Sequence, residues 1–254
     1  MTENKLFNLQ GEIALVTGAS RGLGRAIALG LAQAGSDVAV ADVLNTAQTT
    51  EEIKKIGRTT IGIGVDVSEE LSVASMVDQV IEKFGRIDIL VNNAGILKSA
   101  PAEEMAEQDW DKVIKINLKG QFLCARQVGK QMIKQKSGKI INVASIAGLA
   151  AFAQTAAYNA SKAGVILMTK TLAIEWGKHN IRVNAICPGV FATAMTENFL
   201  KDENFAQMIK NKVPLGRYGQ PEELIGAAIY LASNASSYLT GHALVVDGGY
   251  TAGI

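Results

Sequence analysis

A phenol and an ammonium group placed one helical turn apart are the first feature of this sequence that could do chemistry. Tyr158 and Lys162 lie in the segment AAYNASKAG, and residues four positions apart share one face of a helix. A free tyrosine has a pKa of about 10 and is a poor base at neutral pH. A neighbouring ammonium favours the phenolate and lowers that pKa. The pair therefore predicts a group that exchanges a proton with a bound oxygen atom.

Two further polar residues could complete such a site. Ser145 follows a predicted strand, where its hydroxyl could bond the same oxygen atom. Asn117 lies within the helical run VIKINLKG, where a side chain that competes for backbone hydrogen bonds is unusual. We expect a local distortion of the helix there, holding a water molecule. Each residue alone also has an ordinary explanation, as a cap, a surface amide or a chance pair, but together they predict one site.

A glycine-rich turn, TGASRGLG at 17–24, follows the first predicted strand. Its glycines permit positive φ and let backbone N–H groups approach a phosphate, which the following helix N-terminus also favours. The spacing is G-x-x-x-G-x-G rather than the commoner G-x-G-x-x-G. A merely tight connection between strand and helix would use the same residues, so the turn indicates a dinucleotide site only in combination with other features.

Asp42 ends the second predicted strand, VAVAD. A carboxylate at that place can accept hydrogen bonds from both hydroxyls of an adenosine ribose. A 2′-phosphate about 4 Å away would be repelled by about 4 kcal/mol at an effective dielectric constant of about 20, which favours NAD over NADP. Two alternatives stay open: Arg21 could receive a 2′-phosphate, and Asp42 could simply cap the next helix.

The elements that must position these residues follow a regular alternation of strands and helices. Strands that are almost entirely apolar are typical of a parallel sheet covered on both faces. The alternation predicts a single-domain α/β fold, a Rossmann-type doubly wound parallel sheet with helices on both faces and ligands at the carboxyl ends of the strands. The predicted strands are 13–17, 38–41, 60–65, 87–91, 139–143 and 181–186. The predicted helices are 22–34, 46–56, 71–84, one reaching 134 and one reaching 176.

Composition narrows the classes of function. The chain has 254 residues, 48% of them hydrophobic, which suits one domain spanning 1–254 with a large core. With 25 basic and 24 acidic residues, the net charge is +1, so we expect no nucleic acid and no membrane surface as partner. The polar start predicts no signal peptide, and no apolar stretch is long enough to span a bilayer.

Cysteine and histidine usage argues against a metal site. The two cysteines are Cys124 and Cys187, and the two histidines are His179 and His242. None has the spacing of a metal site or of a disulfide framework. We therefore expect reduced thiols, a cytoplasmic protein and no metal.

Taken together, the motifs resemble those of the short-chain dehydrogenase/reductase family over nearly the whole chain. TGASRGLG resembles the family's cofactor turn, and Asn117, Ser145, Tyr158 and Lys162 fall at its catalytic positions. The other motifs that carry the resemblance are Asp66-Val67, Asn92-Asn93-Ala94-Gly95, and Pro188-Gly189 with Thr193.

The resemblance implies an NAD(P)-dependent oxidoreductase that moves a hydride between the cofactor and a secondary alcohol or ketone without a metal. Tyr158 would exchange the proton, and Ser145 would stabilise the substrate oxygen. Lys162 would bind the nicotinamide ribose and, together with the positive charge of the oxidised nicotinamide, lower the tyrosine pKa. Lys162, Asn117 and water would relay the proton to solvent. The implied cofactor-binding residues are Gly18, Ser20, Arg21, Gly22, Leu23, Gly24, Asp42, Asp66, Val67, Asn93, Ala94, Gly95, Tyr158, Lys162, Pro188, Gly189, Val190 and Thr193.

Longer stretches resemble sugar-acid and polyol dehydrogenases of the gluconate 5-dehydrogenase kind: LFNLQG, EWGKHNIRVNAICPG and the tail from PEELIGAAIYLAS to VDGGY. The nearest alternative is an NADPH-dependent 3-oxoacyl-carrier-protein reductase or a general carbonyl reductase. Asp42 disfavours it, as does His179, where such reductases often have arginine. An alternative of another class is a catalytically idle dinucleotide-binding regulator, which the four intact catalytic positions disfavour.

Substrate specificity and assembly are expected outside the cofactor turn. Three segments should surround the substrate, at 96–100, 146–155 and 190–212, since specificity in such folds lies in loops after strands. The last carries Met195, Phe199 and Leu200 at helical spacing, which predicts either a lid or a face packed on the core. The resemblance implies a homotetramer, and apolar residues on the helices near 109–134 and 155–176 and in the tail at 245–254 could form its contacts.

Overall fold

Short apolar runs form the strands of the central sheet, and helices cover both of its faces. The structure is a computed structural model that describes residues 6–253. Residues 1–5, which belong to the predicted domain, and Ile254, the end of the predicted docking tail, lie outside the described residues. The strands are β1 (Ile13–Thr17), β2 (Asp37–Asp42), β3 (Thr60–Gly64), β4 (Ile89–Asn92), β5 (Gly138–Val143), β6 (Ile181–Pro188) and β7 (Ala243–Val246).

All strand pairs in this part of the chain are parallel, in the order β3-β2-β1-β4-β5-β6-β7. The order reverses between β1 and β4, so the connections that leave these two strands turn to opposite sides and open a crevice at their carboxyl ends. The glycine turn follows β1, and the Asn92-to-Gly95 motif follows β4. The topology thus brings both to that crevice.

Helices cover both faces of the sheet. They are α1 (Gly22–Gln33), α2 (Ala47–Lys55), α3 (Glu70–Phe84), α4 (Glu107–Ile114), α5 (Gln121–Gln135), α6 (Ala156–Trp176), α7 (Glu197–Leu200), α8 (Glu203–Lys212) and α9 (Ile225–Ala232). Successive strand residues point to opposite faces. Accordingly, Leu15 packs in a core with residues of α3, α5 and α6, whereas Val16 packs in a second core with residues of α1, α2 and α9. The predicted fold class is confirmed.

The structure departs from the predicted elements in one helix and in the elements that follow β6. The long helix predicted to end near 134 is divided into α4, a π-helical turn Lys115–Gly120 and α5. This turn contains Asn117, which confirms the distortion expected there. Strand β7 and helices α7, α8 and α9 were not predicted. The tail expected to dock on a neighbour begins with the last two residues of β7, which pairs with β6, and its docking stays a prediction. No helix within 6–253 combines the length and apolarity needed to cross a bilayer.

Candidate functional site

A cleft at the carboxyl ends of the strands gathers most of the predicted site residues. Its main cavity has a volume of about 830 Å³, which suits a cofactor-sized ligand. An adjoining recess of about 100 Å³ opens beside it. The predicted residues that line the main cavity are Gly18, Arg21, Gly22, Leu23, Asp42, Asp66, Val67, Asn93, Ala94, Gly95 and Thr193. Those that line the recess are Leu23, Asn93, Gly95, Ser145, Tyr158, Lys162, Pro188, Gly189 and Thr193.

Four predicted residues lie behind these walls rather than in them. The Ser20 hydroxyl donates to Asp42 over 2.6 Å, and the Val190 carbonyl accepts from the Gly219 N–H. Gly24 packs under the turn, since a Cβ there would lie 2.2 Å from the Gly18 carbonyl oxygen. Asn117 is fully buried. These residues shape the site from behind.

The glycine turn needs glycine for its backbone conformation. Gly18 and Gly22 have φ of +65° and +57°, a region that side chains disfavour. The Asn93 side chain holds the turn by donating to the carbonyls of Thr17 (3.0 Å) and Gly18 (2.9 Å). Because α1 begins here with no side-chain cap, its first N–H groups can bind an anion such as a pyrophosphate. The turn therefore fits a dinucleotide.

The Asp42 carboxylate ends β2, as predicted, but most of its hydrogen-bonding capacity is already used. Oδ2 accepts from the Ser20 N–H (2.9 Å) and hydroxyl (2.6 Å), and Oδ1 accepts from the Leu44 N–H (2.9 Å). An ionised carboxylate has about four acceptor positions, so one remains. In this geometry the carboxylate keeps one acceptor position for a ribose hydroxyl, and acceptance of hydrogen bonds from both hydroxyls stays a prediction.

Tyr158 and Lys162 share one face of α6 and meet in the recess. The Lys162 Nζ lies 5.5 Å from the centroid of the Tyr158 ring and donates to the Val143 carbonyl over 2.8 Å. Burial lowers the pKa of Lys162 to about 8. The ammonium is therefore close to its titration point at neutral to mildly alkaline pH.

The protein's own groups raise the pKa of Tyr158 rather than lowering it. Burial raises the pKa of the Tyr158 phenol, and the hydrogen bond with Ser145 opposes that shift. Removing a phenolate from water costs more than this hydrogen bond returns. The expected lowering of this pKa by the ammonium together with an oxidised nicotinamide therefore stays a prediction. The positive charge of an oxidised nicotinamide ring would act in the missing direction.

Ser145 caps a short turn and reaches the phenol at the same time. Its Oγ accepts from the Ala147 N–H over 3.1 Å, at the start of the turn Ile146–Gly148. The hydroxyl proton stays available for a second partner, which explains how one side chain combines the ordinary capping role with contact to Tyr158. A substrate oxygen placed between the two hydroxyls could bond both.

Asn117 fastens the loop after β4. Its Oδ1 accepts from the Ile96 N–H (2.8 Å), and its Nδ2 donates to the Ile96 carbonyl (2.9 Å). A Cβ on Gly95 would lie 3.3 Å from Asn117 Oδ1 and 3.7 Å from Lys162 Nζ. Asn117, Gly95 and Lys162 therefore meet at one point. The predicted relay of a proton through water at Asn117 stays a prediction.

Sequence reasoning missed polar groups that shape the cleft. Thr196 donates from Oγ1 to the Phe191 carbonyl and accepts from the Thr193 N–H over 3.1 Å. The three-residue spacing in TAMT is typical of such a turn and could have indicated it. Lys112 lines the main cavity, and no pattern in the sequence indicated it. Within the described residues, no group of three or more His, Cys, Asp or Glu side chains has metal-binding geometry.

Comparison with known proteins places this geometry among enzymes. Residues 18–251 match the family described as enoyl-(acyl carrier protein) reductase. The chain is 42% identical over 247 residues to 2-dehydro-3-deoxy-D-gluconate 5-dehydrogenase of Dickeya dadantii, covering 97% of this chain and 98% of the relative. It is 45% identical to 3-oxoacyl-[acyl-carrier-protein] reductase of a Synechocystis species, covering 95% and 97%.

A solved structure shows the same architecture. The crystal structure of a gluconate 5-dehydrogenase from Burkholderia cenocepacia, in complex with NADP and tartrate, superposes with a TM-score of 0.96 at 37% identity. The alignment covers 98% of this chain and 99% of that one. The similarity in both fold and sequence therefore extends over almost the full length of these enzymes.

Proposed function

Because this chain belongs to the short-chain dehydrogenase/reductase family and is an NAD(P)-dependent oxidoreductase acting on CH–OH groups, we propose that it transfers a hydride between NAD(H) and a secondary alcohol of a sugar acid or polyol. The observation that carries this proposal is the recess where Ser145, Tyr158 and Lys162 meet beside the dinucleotide cleft.

In the proposed mechanism, the protein moves the proton and holds the reacting oxygen. The Tyr158 phenolate accepts the hydroxyl proton during oxidation, and the phenol returns it during reduction. The Ser145 hydroxyl donates to the substrate oxygen and fixes its position. Lys162 contributes positive charge near the phenolate, binds the nicotinamide ribose and passes the proton onward from Tyr158 towards solvent. The bound nicotinamide supplies or accepts the hydride.

The proposed preference for NAD depends on Asp42. Its carboxylate lines the cleft and is largely buried, so a 2′-phosphate would approach a poorly screened negative charge. Arg21 lines the same cavity and offers the opposing attraction. The relative from Burkholderia cenocepacia was solved with NADP, so the balance between these two side chains is the point that experiment must decide.

The proposed substrate class is supported by the named relatives and by the segment 190–212, which we assign as the substrate loop of the single 1–254 domain. Met195, Asn198 and Phe199 from this segment line the main cavity, in agreement with a lid rather than a face packed wholly on the core. The rings of Phe199 and Phe205 contact each other in a tilted arrangement, with centroids 5.7 Å apart, which joins α7 to α8.

A panel of substrates tests this proposal directly. We expect cofactor-dependent absorbance changes at 340 nm with sugar acids or polyols and NAD, larger than with a 3-oxoacyl thioester and NADPH. A higher kcat/KM for the thioester would instead favour the carrier-protein reductase, to which the 45% identity also points. Absence of turnover across alcohols, ketones and thioesters, with NAD(H) bound, would favour a dinucleotide-binding regulator.

We also propose a cytoplasmic homotetramer. Cys124 and Cys187 are buried free thiols, as expected in a reducing compartment. Apolar side chains exposed on α5 and α6 support contacts between copies, among them Phe122, Leu167 and Ile174, the last 83% exposed. Exposed apolar residues grouped on helices mark association surfaces.

Sedimentation equilibrium should therefore give four times the mass of the chain. Ile174→Lys should shift the distribution towards smaller species because it places a charge on an apolar contact. Tyr238→Lys, a change at an exposed residue outside these helices, should leave it unchanged. A monomeric wild-type protein at micromolar concentration would contradict the proposal.

A further inference from the structure

The Val143 carbonyl receives two side-chain donors at the end of β5. The Lys162 ammonium donates to it over 2.8 Å, and the Gln121 amide Nε2 donates over 3.3 Å. Gln121 is 1% exposed and Lys162 is 3% exposed, so both hydrogen bonds form away from solvent. Gln121 is the first residue of α5 and follows the π-helical turn that contains Asn117. One carbonyl therefore links this helix to the ammonium in the recess.

Packing alone does not account for a glutamine at this position. Its Oε1 has no hydrogen-bond donor among the described residues, and burying an unpaired amide oxygen costs free energy. The nearby buried positions of α5, Leu123, Cys124 and Ala125, are apolar or thiol side chains. A methionine would fill similar space without that cost. The benefit of the glutamine therefore lies in its donor group.

A second chain of hydrogen bonds fixes Gln121 relative to α6. Its backbone carbonyl accepts from Asn92 Nδ2 (3.3 Å), which also donates to Asn142 Oδ1 (3.0 Å). Asn142 Nδ2 in turn donates to Thr169 Oγ1 over 2.9 Å. Thr169 and Lys162 both belong to α6. Because the residue is held through its backbone by β4 and β5, its side-chain amide approaches the Val143 carbonyl from a fixed direction.

We propose that Gln121 is a positioning residue for Lys162: its amide holds the Val143 carbonyl and, by sharing that acceptor, keeps the ammonium from being over-stabilised. The inference rests on the proposed role of Lys162 beside Tyr158. The positive end of the amide dipole points at the oxygen that Lys162 also uses, and this arrangement disfavours the charged amine. A lysine whose charge is easily lost is suited to passing a proton onward.

The titratable groups that face Lys162 within the described structure are Tyr158 on its own helix and Cys187 on β6. Burial raises the pKa of the Cys187 thiol to about 11, so it remains neutral at working pH. The π-helical turn, α5 and β5 present neutral groups: the Asn117 amide, the Gln121 amide and the Val143 carbonyl. Removing the Gln121 donor therefore alters the environment of Lys162 without altering any charge.

Gln121→Met is the decisive variant, with Gln127→Met on the same helix as its matched control. Gln127 makes its hydrogen bond with Lys130 at the surface. In Gln121→Met we expect an unchanged or higher Tm, a kcat reduced about tenfold at similar KM, and an alkaline limb of the pH–kcat profile moved upward by about 0.5 pH unit or more. Gln127→Met should behave as wild type in all three measurements.

A titration of the lysine 13Cε resonances, assigned with Lys162→Arg, measures the Lys162 pKa without any turnover. It should show the same upward shift in Gln121→Met even if no alcohol is a substrate, so it separates failure of this inference from failure of the proposed function. An unchanged Lys162 pKa would overturn the inference. A Gln121→Met variant that unfolds or loses several degrees of Tm would also overturn it, because the glutamine would then be needed for stability.

Discussion

Replacing Tyr158 with phenylalanine should lower kcat about a thousandfold while NAD(H) binds with an unchanged dissociation constant. General acid–base groups contribute about 10²- to 10⁴-fold, and the substitution removes only the oxygen that exchanges the proton. The ring would keep its place on α6, 5.5 Å from the Lys162 Nζ. Stopped-flow turnover and fluorescence titration of NADH, measured on the same preparation, check the two halves of this expectation.

The pH dependence provides a second signature of the same residue. Oxidation of the alcohol needs the phenolate, so its rate should fall as pH is lowered and Tyr158 becomes protonated. Burial raises the pKa of this phenol, so the fall should begin well above neutrality unless the cofactor's positive charge opposes it. Tyr158→Phe should abolish this limb, whereas Tyr238→Phe, at a fully exposed tyrosine, should preserve it. Turnover within tenfold of wild type in Tyr158→Phe would contradict the mechanism.

The fold was predictable because its determinants are local patterns. Leu15 and Val16 are neighbours in one apolar run, and each side chain enters a different core, so the run indicates burial on both faces. Strand β7 has only four residues, all of them half-buried. A run that short, near the end of the chain, looks the same whether it pairs within the sheet or docks on another copy. Its pairing with β6 depends on a strand about sixty residues earlier in the sequence, which no local pattern records.

The site was predictable only where residue type carries the chemistry. Tyr158 and Lys162 are recognisable because their spacing places them on one helix face, and the structure brings them together in the recess. The Val143 carbonyl that anchors Lys162 has no signal, since every residue has a carbonyl. The contribution of burial to the Tyr158 pKa could not be predicted for a related reason: desolvation depends on how the surrounding elements pack.

The hydrogen bonds of Asp42 were likewise not predictable from the sequence, and they affect the choice of cofactor. Its position at the end of β2 was predictable, but its hydrogen bonds to Ser20 and to the Leu44 N–H come from the way the chain turns after β1 and β2. These bonds hold the carboxylate in place, and they leave one acceptor position. We therefore expect Asp42 to act against a 2′-phosphate mainly through its charge, and only secondarily as a ligand of the ribose.

If charge dominates, Asp42→Asn should raise the ratio of kcat/KM for NADP to that for NAD about a hundredfold. The repulsion between like charges about 4 Å apart is about 4 kcal/mol at an effective dielectric constant of about 20, and solvent screening reduces it. The asparagine oxygen can still accept from the Ser20 N–H and hydroxyl, so these two contacts of the turn should survive, whereas the hydrogen bond from the Leu44 N–H is lost. Initial rates with both cofactors, at saturating alcohol and fixed ionic strength, measure the ratio.

Asp37→Asn is the matched control because it removes a carboxylate from the other end of the same strand. Asp37 pairs with Arg58 over 2.9 Å. It begins β2 and so lies at the end of the strand away from the cleft. Its substitution should therefore leave the cofactor ratio unchanged. A wild-type protein that already prefers NADP would mean that Arg21, in the turn that lines the same cavity, outweighs Asp42. An unchanged ratio in Asp42→Asn would mean that Asp42, the last residue of β2, has no influence on the choice between NAD and NADP. Other residues of the cleft would then make that choice.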